Sequence, residues 1–331
     1  MSVLRLASAL LLFLIVSFDA AAWDRGSVQR FASLPPGSPN PEGITADRHG
    51  DLYVTGFGPT SPAGPGKVFV FDGDSGHLKR VLSIAGSSNA LLGLAFSPAG
   101  ELLVIDFGAS QVLRVNPYSG ASTVFMTVPG AGHGLNALTF DRAGNVYVSD
   151  SFQGVIWKAG PGGGVGAIWK SDPLLTTTGF PPFGANGLEF NRHESALFVA
   201  NTGNDTVVRI ESTAGTAGAA SVFTNSINGA DGLILDRDDN VWVCANQSDE
   251  IVVVDPSGKA IAKLGDFDGV KRGSPSGFLF PASLVRVGDW IYVTNLSLDL
   301  RPITGQQSVD SQWAAEVTTH TISRIRARIP R

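Results

Sequence analysis

Residues 231–246, "DGLILDRDDNVWVCAN", hold a small residue after an acid, a short apolar alternation, a polar turn and a second alternating run. That is the period of two β-strands joined by a tight hairpin. The same unit recurs as "EGITADRHGDLYVTG" from Glu42, "LGLAFSPAGELLVID" from Leu92 and "NALTFDRAGNVYVSD" from Asn136. It appears twice more, as "NGLEFNRHESALFVAN" from Asn186 and "ASLVRVGDWIYVTN" from Ala282. The copies begin at 42, 92, 136, 186, 231 and 282. With two further strands after each hairpin, that period is one four-stranded propeller blade. The second copy predicts strands over Gly93–Phe96, Leu102–Ile105, Val112–Val115 and Ser122–Val128.

Six copies predict an all-β, six-bladed β-propeller. The last copy lacks an outer strand after "TISRIRARI", whereas "SVQRFASLP" from Ser27 looks like the outer strands "STVFMTVP" and "ASVFTNS". Ser27–Leu34 is therefore expected to complete the last blade and close the ring, removing the sheet edges that invite aggregation.

The chain has 331 residues, 43% hydrophobic, with 40 glycines and 19 prolines, which suits many short strands in one large domain. A net charge of −5 and the lack of a basic block argue against nucleic acid or an anionic membrane surface as partner. Residues 1–22 read as a signal peptide: Arg5, the apolar run Ala9 to Phe18, and "DAAAW" before Trp23. The run is short for a membrane span, an uncleaved anchor being the alternative. The expectation is a secreted or periplasmic protein whose mature domain, 23–331, is a monomer. Cys244 is the single cysteine, so no internal disulfide forms, and it reads as a small buried hydrophobe.

In a propeller the first strand of each blade lines the axis, so the first residues of the six copies converge at one mouth of the channel. They are Glu42, Leu92, Asn136, Asn186, Asp231 and Ala282. Four carry side-chain oxygens where uncompensated polar groups are costly to bury. Two carboxylates and two amide carbonyls balance a divalent cation, and an all-oxygen set is the chemistry of Ca²⁺. Zinc is disfavoured, because no Cys or His shares the ring. The competing view is that each residue merely caps its strand.

"PEGI", "GLNALTF", "GANGLEF" and "GADGLILDRDDNVWV" resemble the motifs of the regucalcin and gluconolactonase family of six-bladed propellers. That resemblance implies a calcium held by Glu42, Asn136, Asn186 and Asp231, and a calcium-dependent lactonase or esterase with Asp231 as base or nucleophile. Paraoxonases and diisopropylfluorophosphatase-type propellers carry a similar quartet, so phosphotriester hydrolysis stays open. So does a non-catalytic propeller that binds a protein or glycan. His133, three residues before Asn136, is a candidate proton shuttle, against the plainer reading of a solvated loop histidine. His49 and His193 fall in turns at the opposite rim.

The long loops 58–66, 172–183, 266–280 and 299–313 carry Phe180, Phe183, Phe278, Phe280 and Trp313, and predict an apolar or mixed pocket. Asp106, Asp150, Asn201, Asn246 and Asn295 form one further register at the ends of the second strands, read as strand terminators more than as supports for the quartet.

Overall fold

Strand follows strand from Gln29 to Arg326, and hydrogen bonding sorts them into a ring of six blades, each of four antiparallel strands. Gly164–Val165 adds a short parallel fifth strand beside Ser122–Thr127 of the second blade, and Phe267–Lys271 pairs with Ser274–Gly277 in a separate hairpin. The computed structural model describes residues 24–61 and 63–330; the expected signal segment, 1–22, lies outside them. The blades open with Asn40–Ala46, Leu91–Phe96, Leu135–Phe140, Ala185–Phe190, Ala230–Leu235 and Pro281–Val287, all innermost. The second blade runs Leu91–Phe96, Leu102–Asp106, Gln111–Val115 and Ser122–Thr127, within two residues of the predicted ends. Among the described residues no helix is long and apolar enough to cross a membrane.

The core is divided into wedges. One apolar cluster fills each gap between neighbouring blades, as where Val68, Val70 and Ile84 of the first blade meet Leu94, Val104 and Leu113 of the second. The cluster between the second and third blades extends upward into Phe280, Leu296, Leu298 and Leu300 over the channel. Cys244 lies in the wedge between the last two blades, where burial pushes its thiol well above the ordinary range and keeps it from acting as a nucleophile.

Gln29–Ser33 pairs antiparallel with Thr321–Arg326 and supplies the outer strand of the sixth blade, as the repeat count predicts. Leu34 N–H donates to the His320 carbonyl at 2.9 Å and extends the ladder. Just upstream, Arg25 reaches Glu250 at 2.7 Å and also pairs with Asp266. The first residues described are thus fastened to both the fifth and sixth blades.

At the rim opposite the pocket described below, the recurring turns share one device. Asp47, Asp141 and Asp236 each accept backbone N–H bonds from residues two to four positions on. This side-chain turn explains why "DR" recurs after the inner strands. His49 and His193 are exposed at this rim, as expected.

Candidate functional site: a ring of oxygens under an apolar collar

Every inner strand carries the same irregularity. Its pairing with the second strand slips between Pro41 and Ile44, Leu91 and Leu94, Leu135 and Leu138, Ala185 and Leu188, Ala230 and Leu233, and Pro281 and Leu284. Two residues therefore face one across the ladder, which is a β-bulge. The first bulged residue in each blade is the sequence anchor: Glu42, Leu92, Asn136, Asn186, Asp231 or Ala282. The second is Gly, Ala or Ser for a steric reason. A Cβ on Gly43 would stand 2.5 Å from the Leu92 carbonyl oxygen, and one on Gly187 would stand 2.6 Å from that of Asp231. Each blade's small residue thus receives the next blade's anchor backbone, and the anchors are drawn into one ring.

Glu42, Asn136, Asn186 and Asp231 line a single pocket at the channel mouth. All four are buried. Glu42 Oε2, Asn136 Oδ1 and Asp231 Oδ1 have no hydrogen-bond partner among the described residues. Three orphaned oxygens on one cavity are costly in an aqueous protein unless something electropositive binds them. Burial, and then the charge of Asp231, hold Glu42 well above the usual carboxylate range; burial pushes Asp231 up to about 7 despite a hydrogen bond from Asn246. Among the described residues no cluster of three or more His, Cys, Asp or Glu is placed to hold a metal ion. The ring's donors are oxygens alone, a set that fits a hard cation and suits zinc poorly.

The amides are aimed. Asn136 Nδ2 donates to Ser151 Oγ at 3.2 Å, and Ser151 donates to the Ala185 carbonyl at 2.7 Å. One blade on, Asn186 Nδ2 donates to Thr202 Oγ1 at 3.0 Å, and Thr202 donates to the Ala230 carbonyl at 2.8 Å. Because each hydroxyl spends its proton on a carbonyl, it can only accept from the amide, which fixes the Asn NH₂ on that side and Oδ1 on the other. Asn246 Nδ2 holds Asp231 Oδ2 at 2.7 Å in the same way.

Ser151, Thr202 and Asn246 are one structural position, as are Phe107 and Leu296. Each donates its backbone N–H to the residue just before its inner strand. Asn246 was grouped in sequence with Asp106, Asp150, Asn201 and Asn295, but the structure corrects this by one residue: Ala245, not Asn246, pairs as they do. A single step along a strand turns the side chain to the other face, so Asn246 alone of that group reaches the ring. The others organise loops. Asp150 accepts from Gly134 N–H and Trp157 Nε1, and Asn201 donates to the Leu174 and Thr176 carbonyls.

His133 is held away from the pocket. Its Nδ1 lies 2.8 Å from Asp150 Oδ2, its Nε2 lies 3.1 Å from the Pro129 carbonyl, and its ring stands edge-on to Trp157. Both nitrogens face fixed acceptors and the side chain is buried. The histidine is not among the residues that line the pocket, and its side chain is not solvated; its contacts pin the loop that leads to Asn136.

Above the oxygens the walls are apolar. Phe57 and Phe183 stand at the two ends of an aromatic arc, and Leu92, Pro181, Phe280, Leu296, Leu298 and Leu300 complete the apolar lining. Edge-to-face contacts carry the aromatic arc around the rim: Phe57 to Phe107 at 5.7 Å, Phe107 to Phe152 at 5.8 Å; a tilted contact joins Phe152 to Phe183 at 5.6 Å. Of the aromatics flagged in the loops, Phe183 and Phe280 reach the pocket. Phe278 is buried in a blade wedge, and Trp313 packs on Phe267. The leucines were missed, although "LSLDL" at 296–300 alternates apolar and polar outside any strand. Asn40 Nδ2 holds that segment through the Leu296 and Ser297 carbonyls.

A second pair of acids braces the collar from behind. Asp249 accepts Phe280 N–H at 2.7 Å, while Asp310 is buried with Oδ2 unpartnered among the described residues. Burial, then the nearby Asp310 charge, push Asp249 up to about 8, and burial pushes Asp310 up to about 6. Both values lie above those of an unfolded chain, so the folded protein binds these protons more tightly. Their stabilising effect is complete below about pH 4 and is lost as pH rises through 6 and 8. Asp310→Asn should therefore remove much of the fall in Tm between about pH 4 and pH 6 and, by deleting the charge that helps raise Asp249, lessen the fall from pH 6 to pH 8. An unchanged profile would assign that fall to other groups.

The architecture and the oxygen-floored pocket define a six-bladed propeller with a small-molecule site on its axis. The chain belongs to the SMP-30/gluconolactonase/LRE-like family, whose model matches residues 86–265. Among solved structures it is similar to a luciferin-regenerating enzyme, with 17% identity and a TM-score of 0.62 over 91% of this chain and 95% of that one. It is also similar to a calcium-binding regucalcin from Agrobacterium tumefaciens, with 16% identity and a TM-score of 0.60 over 90% and 97%. A gluconolactonase from Xanthomonas campestris gives 13% identity and a TM-score of 0.63 over 90% and 89%. At these identities the likeness bears on fold alone. No curated protein sequence matches the chain.

Proposed function

We propose that the protein is an exported, calcium-dependent hydrolase of lactones or esters. The observation that carries the reading is the trio of buried, unpartnered oxygens on Glu42, Asn136 and Asp231, with Asn186 completing the ring. Family membership supports hydrolysis of a lactone, and the relatives named for calcium binding and gluconolactone hydrolysis agree with it. Export rests on the N-terminal segment 1–22.

Glu42, Asn136, Asn186 and Asp231 would hold the ion. The chemistry a bound Ca²⁺ supplies is polarisation of the substrate carbonyl and stabilisation of the oxyanion. Ser151 and Thr202 keep the two amide oxygens turned to the ring. Asp231, with one oxygen secured by Asn246, serves as base toward water or as nucleophile toward the carbonyl. The collar keeps bulk water from the reacting bond, which strengthens each of these interactions.

The deciding experiment is a panel of aldonolactones, acyl lactones, aryl esters and phosphotriesters, each assayed with calcium and with chelator. Chelator-sensitive turnover of a lactone or ester is expected. Turnover of phosphotriesters alone, or of nothing on the panel, would overturn the reading. Ser151→Ala and Thr202→Val should each weaken calcium affinity about 10–100-fold by freeing an amide to flip. Calorimetric titration reads this directly, and unaltered affinity would remove the hydroxyls from the site.

A further inference from the structure

We infer that the site selects substrates by an alkyl or aryl substituent and discriminates against polyhydroxylated sugar lactones. The catalytic arm of this inference rests on the hydrolase reading above; its binding arm does not.

The pocket divides into two halves. In the third, fourth and fifth blades the anchors are Asn136, Asn186 and Asp231, and the residues above them are Ser151, Thr202 and Asn246. In the sixth and second blades the same two positions carry Ala282 with Leu296, and Leu92 with Phe107, of which Leu296 and Leu92 line the pocket. The first blade keeps Glu42 on the floor but places Phe57 above it. Polar groups thus form the floor and one flank, while the rest of the wall is aliphatic or aromatic. Glu42 and Asp231 are the only charged side chains lining the pocket among the described residues. The polar groups nearest the wall are already committed: Thr202 donates to Ala230 O and accepts from Asn186, and Asn246 Oδ1 accepts from Gln247 at 2.9 Å.

A sugar lactone brings a hydroxyl on nearly every ring carbon. Against this wall those hydroxyls would lose water without gaining side-chain partners, which is unfavourable for each one buried. An alkyl tail meets the opposite balance. Its carbonyl can lie over the oxygen floor while the chain runs along Phe57, Phe183, Leu298 and Leu300. Each methylene then leaves water for a surface of matching polarity. A lactone with a short alkyl side chain or an aryl ester fits this division.

The test is a chain-length series: δ-valerolactone, its δ-alkyl homologues up to hexyl, and glucono-δ-lactone, assayed with calcium. The value of kcat/KM is expected to climb about fourfold per methylene over the first carbons, with glucono-δ-lactone at least about a hundredfold below the hexyl compound. Leu298→Ser and Phe183→Ser should each flatten the climb while calcium still raises Tm. A flat series, or glucono-δ-lactone turned over as well as the hexyl lactone, would overturn the inference. Binding of non-hydrolysable 2-alkylcyclopentanones by calorimetry separates the two readings. If no lactone is hydrolysed but affinity still rises with chain length and falls in Leu298→Ser, the collar stands and the hydrolase reading falls. Affinity independent of chain length removes the collar whatever the activity.

Discussion

Asp231→Asn is expected to lower kcat by about three orders of magnitude or more, as loss of a group acting in the transition state does. In chelator the same variant should unfold at a temperature equal to or above that of the parent. The opposing signs follow from one fact: Asp231 is buried beside Glu42, and burial already pushes its carboxyl up to about 7. Removing the carboxylate relieves repulsion in the ion-free protein and deletes a ligand from the ion-bound one. Calcium at a hundred times its Kd stabilises a single-site protein by about 2.7 kcal/mol, roughly 4 °C in Tm at this chain length. That gain should vanish in Asp231→Asn and in Glu42→Gln. Full turnover by Asp231→Asn, or a calcium-induced Tm shift that survives in both variants, would dismiss the quartet as an ion site.

Deleting residues 24–34 is expected to be the most damaging change outside the site. The deletion removes the ladder between Gln29–Ser33 and Thr321–Arg326, buried Leu34, the Phe31–Tyr292 ring pair at 4.7 Å and the Arg25 bridges. Together these amount to on the order of 5 kcal/mol, or about 8 °C in Tm. It also bares Thr321–Arg326 as an open edge able to pair with another chain. Light scattering on heating should rise earlier than in the parent. An unshifted, cooperative melt without aggregation would show that the ring does not depend on this closure. Because Gln29 and Arg324 are 295 residues apart in sequence, the closing sheet cannot form until nearly the whole domain has been made, and contacts of such separation slow folding.

The repeat made the blades legible, since a hairpin every 44 to 51 residues has few other uses. Its first residue also located the ring, because repetition places equivalent residues at equivalent depths on the axis. What sequence hid were side chains whose role depends on a single-residue offset or on a loop's path. Asn246 looked like a strand terminator, but pairing of Ala230 with Ala245 moves it one step on and turns it to the ring. Ser151 and Thr202 carried a signal: a hydroxyl directly follows the strand end in the two copies that begin with Asn. Leu298 and Leu300 belong to no repeat, so their period-two pattern had no frame to point them inward. The direction of His133 was not legible because nearness in sequence to Asn136 does not set it; Asp150 and the Pro129 carbonyl do.

The bulge that recurs in all six inner strands has a consequence for how this architecture changes over time. Backbone geometry alone delivers six sockets to the axis, and the side chain placed in each one decides what that socket offers. Here four sockets present oxygen, while Leu92 and Ala282 leave two blank. A single substitution can therefore add, remove or rotate a donor without refolding a loop, provided the next residue stays small enough to receive the neighbouring carbonyl. The scaffold separates where the chemistry sits from which chemistry it is, so new activities can arise on it one codon at a time.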